Sequence, residues 1–402
     1  MKIGVYGGTF DPPHVGHLAS ARFTMEVLDL DKLLFMPDAA PPHKTLPAET
    51  AGAAGRWEMI RLAADGFLMP ERVEASRLEM DRTGKSYTAD TLAQLHAQFP
   101  EDELWLLMGS DMLLTLQNWY QPEQIMSLAS IAAFSRRRED GGALAAHAQY
   151  LRETFGARVE LLELPEVREV SSTQLRTLLV SDRAQAAEYL TPAVYGCILR
   201  NGFYGVKEDL KHLDDRELFA CVCSMVRAKR IAHIKGVAEE AAKLAMRWGE
   251  DPAKARRAGI LHDCTKYLEM GEQQALCAKY GITLDELEQQ AVKLLHSKTG
   301  AAVARDVFGV EDDIFWAIFW HTTGKADMTL LEKIVYIADY MEPTRSFEGV
   351  DRMRKLAYED LDAALLLGFE MSIREMKDRG LIVHKNTLEA RDWMLKSKGT
   401  AL

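Results

Sequence analysis

The sequence predicts an α/β domain built on a doubly wound parallel sheet, followed by an all-α domain. Five short aliphatic or β-branched stretches, Lys2 to Tyr6, Lys32 to Met36, Leu104 to Met108, Ile131 to Phe134 and Val159 to Leu164, alternate with segments of helical spacing. That alternation is the pattern of βαβ units. From Asp209 onward the strand pattern gives way to successive amphipathic helices, as where Asp251-Pro252 stands ahead of AKARRAGILHD as N-cap and first helical residue. A length of 402 residues also exceeds what one hydrophobic core usually organises. The boundary falls in NGFYGVKED, residues 201–209, which gives domains 1–204 and 205–402.

Composition narrows the function classes. With 48% hydrophobic and 27% charged residues the chain reads as soluble and globular. No apolar run approaches the roughly 18 residues that cross a bilayer, and Asp11, His14 and His17 interrupt the place of a secretion signal, so a cytoplasmic protein with no membrane contact is expected. A net charge of −11 argues against nucleic acid as a partner. The scattered Cys197, Cys221, Cys223, Cys264 and Cys277 read as reduced thiols. Self-association stays open.

The first strand, KIGVY, runs into GGTFDPPHVGHL, and the first helix is expected to begin near Val15. Gly7 and Gly8 let the backbone approach a ligand closely, with Thr9 and Phe10 following in the same turn. The helix N-terminus beside them offers unpaired N–H groups and partial positive charge, so a polyphosphate suits the place. His14 and His17, three residues apart, face the same guest. A tight turn and a capped helix would use some of these residues too, but neither needs the whole string. No activated Ser or Cys nucleophile stands nearby, so transfer here would be direct rather than through a covalent intermediate.

Further along, Lys44 in FMPDAAPPHK is in reach of a phosphate. Gly109 and Asp111 in LMGSDML stand at a strand's carboxyl end, where a carboxylate accepts ribose or amide hydrogen bonds. In VSSTQLR, Ser171 and Gln174 form a capping box. Ser172 and Thr173 then offer donors at the helix start, and Arg176 adds a forked cation for phosphates.

GGTFDPPHVGH, together with FMPDAAPPHK, SYTADTL, LMGSDML, NWY, VSSTQLR and YLTPAVYGCILRNGFY, resembles the nucleotidyltransferases with an H-x-G-H signature, and among them the nicotinate-nucleotide adenylyltransferases. The resemblance covers essentially the whole first domain. It implies a Rossmann-like nucleotidyltransferase fold and in-line attack by the phosphate of nicotinate mononucleotide on the α-phosphorus of ATP, with Mg2+ bridging the leaving phosphates. Lys44, Thr88, Asp111, Trp119 and Tyr120 would then meet the nicotinate nucleotide. Gly7, Gly8, Thr9, Phe10, His14, His17, Gly109, Asp111, Ser172, Thr173 and Arg176 would meet ATP. Where the family commonly has Arg-Pro-Gly this chain has Arg136-Arg137-Arg138-Glu139, and only Arg136 is assigned to ATP. A preference for nicotinamide mononucleotide remains the alternative.

In the helical half, His233 shares a stripe with Val237, Ala241, Leu244 and Trp248, so its imidazole faces an apolar interior. His262-Asp263, His296 after VKLL, His321 after IFWAIFW and Asp339 within KIVYIADYM add polar groups to apolar settings. An unpaired buried carboxylate at Asp339 would be costly, and a shared metal resolves all these costs together. Imidazoles and carboxylates without thiolates suit iron, manganese, zinc or a similar ion.

The pattern H…HD…D, met by His233, His262-Asp263 and Asp339, resembles the HD phosphohydrolases, and His296 and His321 resemble the two-metal subset. LLHSKTGA, HTTGKADMTLLEKIVYIADYMEP and FEGVD are similar to the bacterial HD-domain symmetrical diadenosine tetraphosphate hydrolases over about residues 212–390. The resemblance implies one or two transition-metal ions, iron or manganese, bridged by Asp263. It also implies a dinucleoside polyphosphate substrate. Lys266, one helical turn beyond His262, is placed either to neutralise a phosphate or to stand as an exposed helix lysine. The ligand pattern would equally serve another nucleotide phosphohydrolase, or a non-catalytic nucleotide or metal sensor that regulates the first domain.

Overall fold

The computed structural model describes residues 1–39, 50–135, 141–165 and 170–399, and they divide into two compact units, Met1–Lys207 and Glu208–Leu402. In the first unit the elements run β1 (Lys2–Gly8), α1 (Val15–Val27), β2 (Lys32–Pro37), α2 (Gly52–Asp65), β3 (Val73–Ala75), α3 (Thr88–Gln98), β4 (Glu103–Gly109), α4 (Ser110–Leu113), α5 (Pro122–Leu128), β5 (Ala129–Ser135), α6 (Gly141–Phe155), β6 (Val159–Glu163), α7 (Ser172–Ser181), α8 (Arg183–Ala187) and α9 (Pro192–Asn201). The sheet order is β3-β2-β1-β4-β5-β6, with every pairing parallel.

The near-continuous burial of β1, β2 and β4 explains their aliphatic runs, because helices cover both faces of such a sheet. The edge strand β3 escapes sequence expectation, since its three residues are too few to show a period. Order reverses between β1 and β4. Their pairing ends at Tyr6↔Leu107, while β1 stays paired with β2 as far as Gly8↔Pro37. The carboxyl ends of β1 and β4 therefore part into the crevice where such sheets bind ligands.

The second unit is helical among the described residues: α10 (Asp215–Cys223), α11 (Ala228–Trp248), α12 (Pro252–Leu261), α13 (Met270–Tyr280), α14 (Val292–Phe308), α15 (Asp312–Trp320), α16 (Leu330–Met341), α17 (Val350–Glu359), α18 (Leu361–Asp378) and α19 (Lys385–Gly399). Asp251 caps α12 by accepting from the amides of Ala253 and Lys254. At Gly259 a Cβ would come within 2.7 Å of Ala238 Cα, so glycine is what lets α12 lie against α11. That close crossing carries His262, at the end of α12, up to His233. No helix is long and apolar enough to cross a membrane among the described residues, and the five cysteines are buried thiols outside any disulfide.

Candidate functional sites

His14 is the N-cap of α1, in extended backbone with φ −140° and ψ 170°, and its amide donates to His17 Nδ1 at 3.3 Å. The two rings lie 3.7 Å apart, centroid to centroid. A ring nitrogen that accepts carries no hydrogen, so the neutral His17 ring keeps its hydrogen on Nε2, which makes that atom a donor. Phe10 and Tyr6 flank the ring at 5.2 and 6.2 Å.

The N-terminus of α7 docks on the same turn. Ser172 Oγ donates to the Pro12 carbonyl at 3.0 Å, and Arg176 Nη1 donates to the Asp11 carbonyl at 2.7 Å, with Nη2 on Thr173 Oγ1 at 3.1 Å. Ser171 and Gln174 close the capping box that starts this helix. Asp11, which sequence reasoning passed over, is buried and accepts from Tyr204 Oη at 2.8 Å. A carboxylate beside two prolines carried no signal of its own.

Arg56 was also missed. It is fully buried on α2, with Nη1 donating to the carbonyls of Thr9 (2.9 Å) and Asp38 (2.7 Å) and to Asp38 Oδ1 (3.1 Å), and Nη2 donating to the Ala39 carbonyl (3.0 Å). Thr9 Oγ1 in turn donates to Asp38 Oδ2 at 3.0 Å. Gly7 and Gly8, expected in the turn, end β1 instead because both pair with β2, and one guanidinium ties the turn after them, at Thr9, to the end of β2. Its signal was a cation on the stripe it shares with Met59, Ile60 and Ala63. Replacing Arg56 with Met is expected to cost about 3–5 kcal/mol, because it leaves buried carbonyls and a carboxylate without their donor. Denaturant unfolding would show this, and a loss under 1 kcal/mol would refute the hub.

Gly109 ends β4 and caps α4, and Asp111 stands exposed in the first turn of that helix. Thr88 opens α3; the Tyr87 and Tyr120 rings, 4.5 Å apart, join that helix start to the segment after α4. Trp119 donates from Nε1 to Thr115 Oγ1 at 3.4 Å and packs on the core, whereas Tyr120 is 47% exposed. Lys44 and Arg136 lie outside the described residues.

In the second unit five helices deliver six side chains to one point. Asp263, fully buried, faces two ways. Its Oδ2 lies 3.4 Å from His262 Nε2 and 3.9 Å from His233 Nε2, and its Oδ1 lies 3.1 Å from His296 Nε2 and 3.8 Å from His321 Nε2. Asp339 Oδ1 joins the first group, 3.1 Å from His233 Nε2 and 3.9 Å from His262 Nε2. Asp339 was expected to be buried, yet its side chain is 18% exposed, more than any of the other five. Solvent therefore reaches the centre from this side, where α16 ends and the chain turns out toward Arg345.

The tautomers follow from the backbone. The Nδ1 atoms of His262, His296 and His321 meet the carbonyls of Gly259, Lys293 and Ile318 at 2.7, 2.7 and 2.6 Å. A carbonyl only accepts, so each Nδ1 carries the hydrogen and each neutral ring aims its Nε2 lone pair inward. Burial, reinforced by Lys266, pushes the His296 imidazole down to about 4, and burial lowers His321 too, so both stay neutral ligands at pH 7. Donors about 3–3.5 Å apart are what metal bonds near 2.1 Å impose, so this donor set fits divalent ions.

Three cations surround the carboxylates. Arg230 Nε donates to Asp263 Oδ2 at 2.6 Å and Arg345 Nη2 to Asp339 Oδ1 at 2.7 Å, while Lys266 Nζ is 3.3 Å from Asp263 Oδ1 and 3.0 Å from His296 Nε2. Sequence reasoning singled out Lys266 but neither arginine. Arg230 precedes His233 by one turn, and Arg345 sits in the loop after Asp339.

Asp285, Glu288 and His384 also cluster within metal-binding distance, but the chemistry differs. His384 Nδ1 accepts the Asn386 amide at 3.2 Å, so Nε2 is the N–H, facing Asp285 Oδ2 at 3.2 Å and Glu288 Oε1 at 3.4 Å. Lys298 Nζ meets Glu288 Oε1 at 2.5 Å. This is an ion-paired clasp on the start of α19. Burial pulls the Glu288 carboxyl up, but His384 and Lys298 hold it at about 2. Its contribution is thus present above the unfolded value near 4.5 and lost as pH falls toward 2. Replacing Glu288 with Gln should remove roughly 3 kcal/mol at pH 7 and flatten the loss of stability between pH 4.5 and 2. Thermal melts of both forms across that range test it, and parallel curves would refute it.

A Cytidylyltransferase-like family model matches residues 5–178 and an HD domain model matches residues 230–344. A protein of Lachnoclostridium phytofermentans named "Probable nicotinate-nucleotide adenylyltransferase" is 36% identical over 204 residues, covering 50% of this chain and 98% of its own length. One of the same name from Thermus thermophilus is 38% identical over 205 residues, 51% of this chain and 100% of its own. A symmetrical bis(5'-nucleosyl)-tetraphosphatase of Bacillus subtilis is 36% identical over 184 residues, 46% of this chain and 98% of its own. With a parallel-sheet crevice in one half and a histidine–aspartate centre in the other, the chain belongs to the nicotinate-nucleotide adenylyltransferase family in its first half and carries an HD-domain phosphohydrolase in its second.

Proposed function

We propose that the first domain transfers an adenylyl group from ATP to nicotinate mononucleotide, and that the second splits diadenosine tetraphosphate into two ADP. For the first reaction the carrying observation is the His17 tautomer. Its Nε2–H, beside the N-terminus of α1, is a donor of the kind that phosphate oxygens accept. The mononucleotide's phosphate oxygen bonds to the α-phosphorus as the bond to the pyrophosphate bridge breaks. His14, His17 and Arg176 stabilise the negative charge that gathers on the α-phosphoryl and leaving oxygens, and Mg2+ supplies further charge neutralisation on the pyrophosphate.

For the second reaction the carrying observation is that Asp263 offers one oxygen to each pair of histidines. His233, His262 and Asp339 would hold one divalent ion and His296 and His321 another, with Asp263 shared. Ions bound there polarise phosphoryl oxygens and acidify water. Lys266, Arg230 and Arg345 bind phosphate oxygens at the opening, and Asp263 and the histidines orient the donor atoms that would hold the ions. Water adds to an inner phosphorus, the central P–O–P bond breaks, and each half departs as ADP. The named activities of the relatives support both readings.

Incubating the full chain with ATP, Mg2+ and either nicotinate or nicotinamide mononucleotide, and separately with diadenosine tetraphosphate and Mn2+ or Fe2+, tests both. Expected products are deamido-NAD with pyrophosphate, and ADP. ATP plus AMP from the tetraphosphate would overturn the symmetrical cut, nucleotide binding without products would favour a sensor, and preference for the amide would overturn the acid assignment.

A further inference from the structure

Three histidines of the HD centre give their Nδ1 hydrogen to a backbone carbonyl. His233 instead meets a carboxylate, Glu342 Oε1, at 3.0 Å. Glu342 is fully buried, and its position is tightly specified. Thr344 donates from its amide to Oε2 at 2.7 Å and from its hydroxyl to Oε1 at 2.5 Å, and Arg345 Nε stands 3.8 Å from Oε1. The helix opposite is shaped for it: a Cβ at Gly236, one turn past His233, would overlap Glu342 Oε2.

The two halves of the centre thus differ. The His233, His262 and Asp339 half has its own carboxylate besides the shared Asp263, and one histidine backed by an anion, which strengthens the Nε2 donor. Among the described residues the His296 and His321 half has only the shared carboxylate, two histidines backed by neutral carbonyls, and the Lys266 ammonium 3.0 Å from His296 Nε2. Fewer protein donors also leave more positions open to water and substrate.

We infer that Glu342 is the positioning residue that makes the His233 half the tight metal position, leaving the His296 and His321 half as a weaker, exchangeable one. The inference rests on the reading that this centre holds divalent ions. Glu342 touches neither ion nor substrate and acts through the orientation and basicity of His233.

The test is a titration of chelator-treated full-length protein with Mn2+, followed by calorimetry and by the loss of the free-Mn2+ resonance. Wild type should bind two ions with separable affinities. Glu342→Gln, which keeps the side chain's shape but not its charge, should weaken the tight class about 10–100-fold and leave the weak class within about twofold. His321→Gln should remove the weak class and spare the tight one. Should Glu342→Gln fail to fold, Gly236→Ala, which displaces the carboxylate without removing it, is read the same way. Equal weakening of both classes, weakening confined to the weak class, or no change would overturn the inference. If wild type binds no Mn2+, the metal reading falls with it; if it binds two unequal ions yet leaves diadenosine tetraphosphate intact, the inference stands and the substrate reading falls.

Discussion

Replacing Asp263 with Asn is expected to lower hydrolysis by the second domain about 10³–10⁴-fold, the equivalent of several kcal/mol of lost phosphoryl-charge stabilisation. The residue is buried, with Oδ2 toward His233 and His262 and Oδ1 toward His296 and His321. Asparagine keeps the shape but removes the charge. It also turns one oxygen into an N–H donor that must face ring nitrogens or cations, and it leaves Arg230 and Lys266 without the carboxylate they share. Adenylyl transfer by the same preparation is the internal control and should be unaffected. A loss below tenfold would show that Asp263 does not join the two halves.

The second large effect is expected at His17. Its Nε2–H is a directed donor, fixed by the His14 amide on the opposite ring nitrogen and by the flanking Phe10 ring. A donor that acts mainly as charge develops contributes to turnover rather than to ground-state binding, so His17→Ala should lower kcat by about 10²–10³-fold with little change in KM for ATP. Steady-state kinetics of the first domain decide it. Unchanged kcat with a raised KM would make His17 a binding residue only.

Reading strands from aliphatic runs worked where the sheet buries both faces, as in β1, β2 and β4, because continuous burial leaves a continuous apolar signature. It failed at β3, whose three residues borrow their conformation from pairing with β2. Caps were legible for the same local reason: Asp251 and Ser171 bond to amides two or three residues ahead, so their partners lie within the motif. Arg56, Asp11 and Glu342 were not, since the partner that ties each of them to its site lies across chain reversals that no local spacing encodes, even though Glu342 also has local donors in Thr344. Arg56 reaches Thr9 across 47 positions and Glu342 reaches His233 across 109.

The order of elements, the start of α1 after the strand that ends in two glycines and the choice of six histidine and aspartate side chains were all decided by residue type and short-range spacing. The ring tautomers of His17, His262, His296 and His321 are local too, since each Nδ1 meets a backbone group three residues away. What the tertiary structure alone decided is which side chains meet: Asp263 comes to lie between the His233–His262 and His296–His321 pairs, and Glu342 reaches His233 across 109 positions. Burial of a carboxylate is offset only by partners that the packing of separate helices brings to it, and no local spacing encodes that packing.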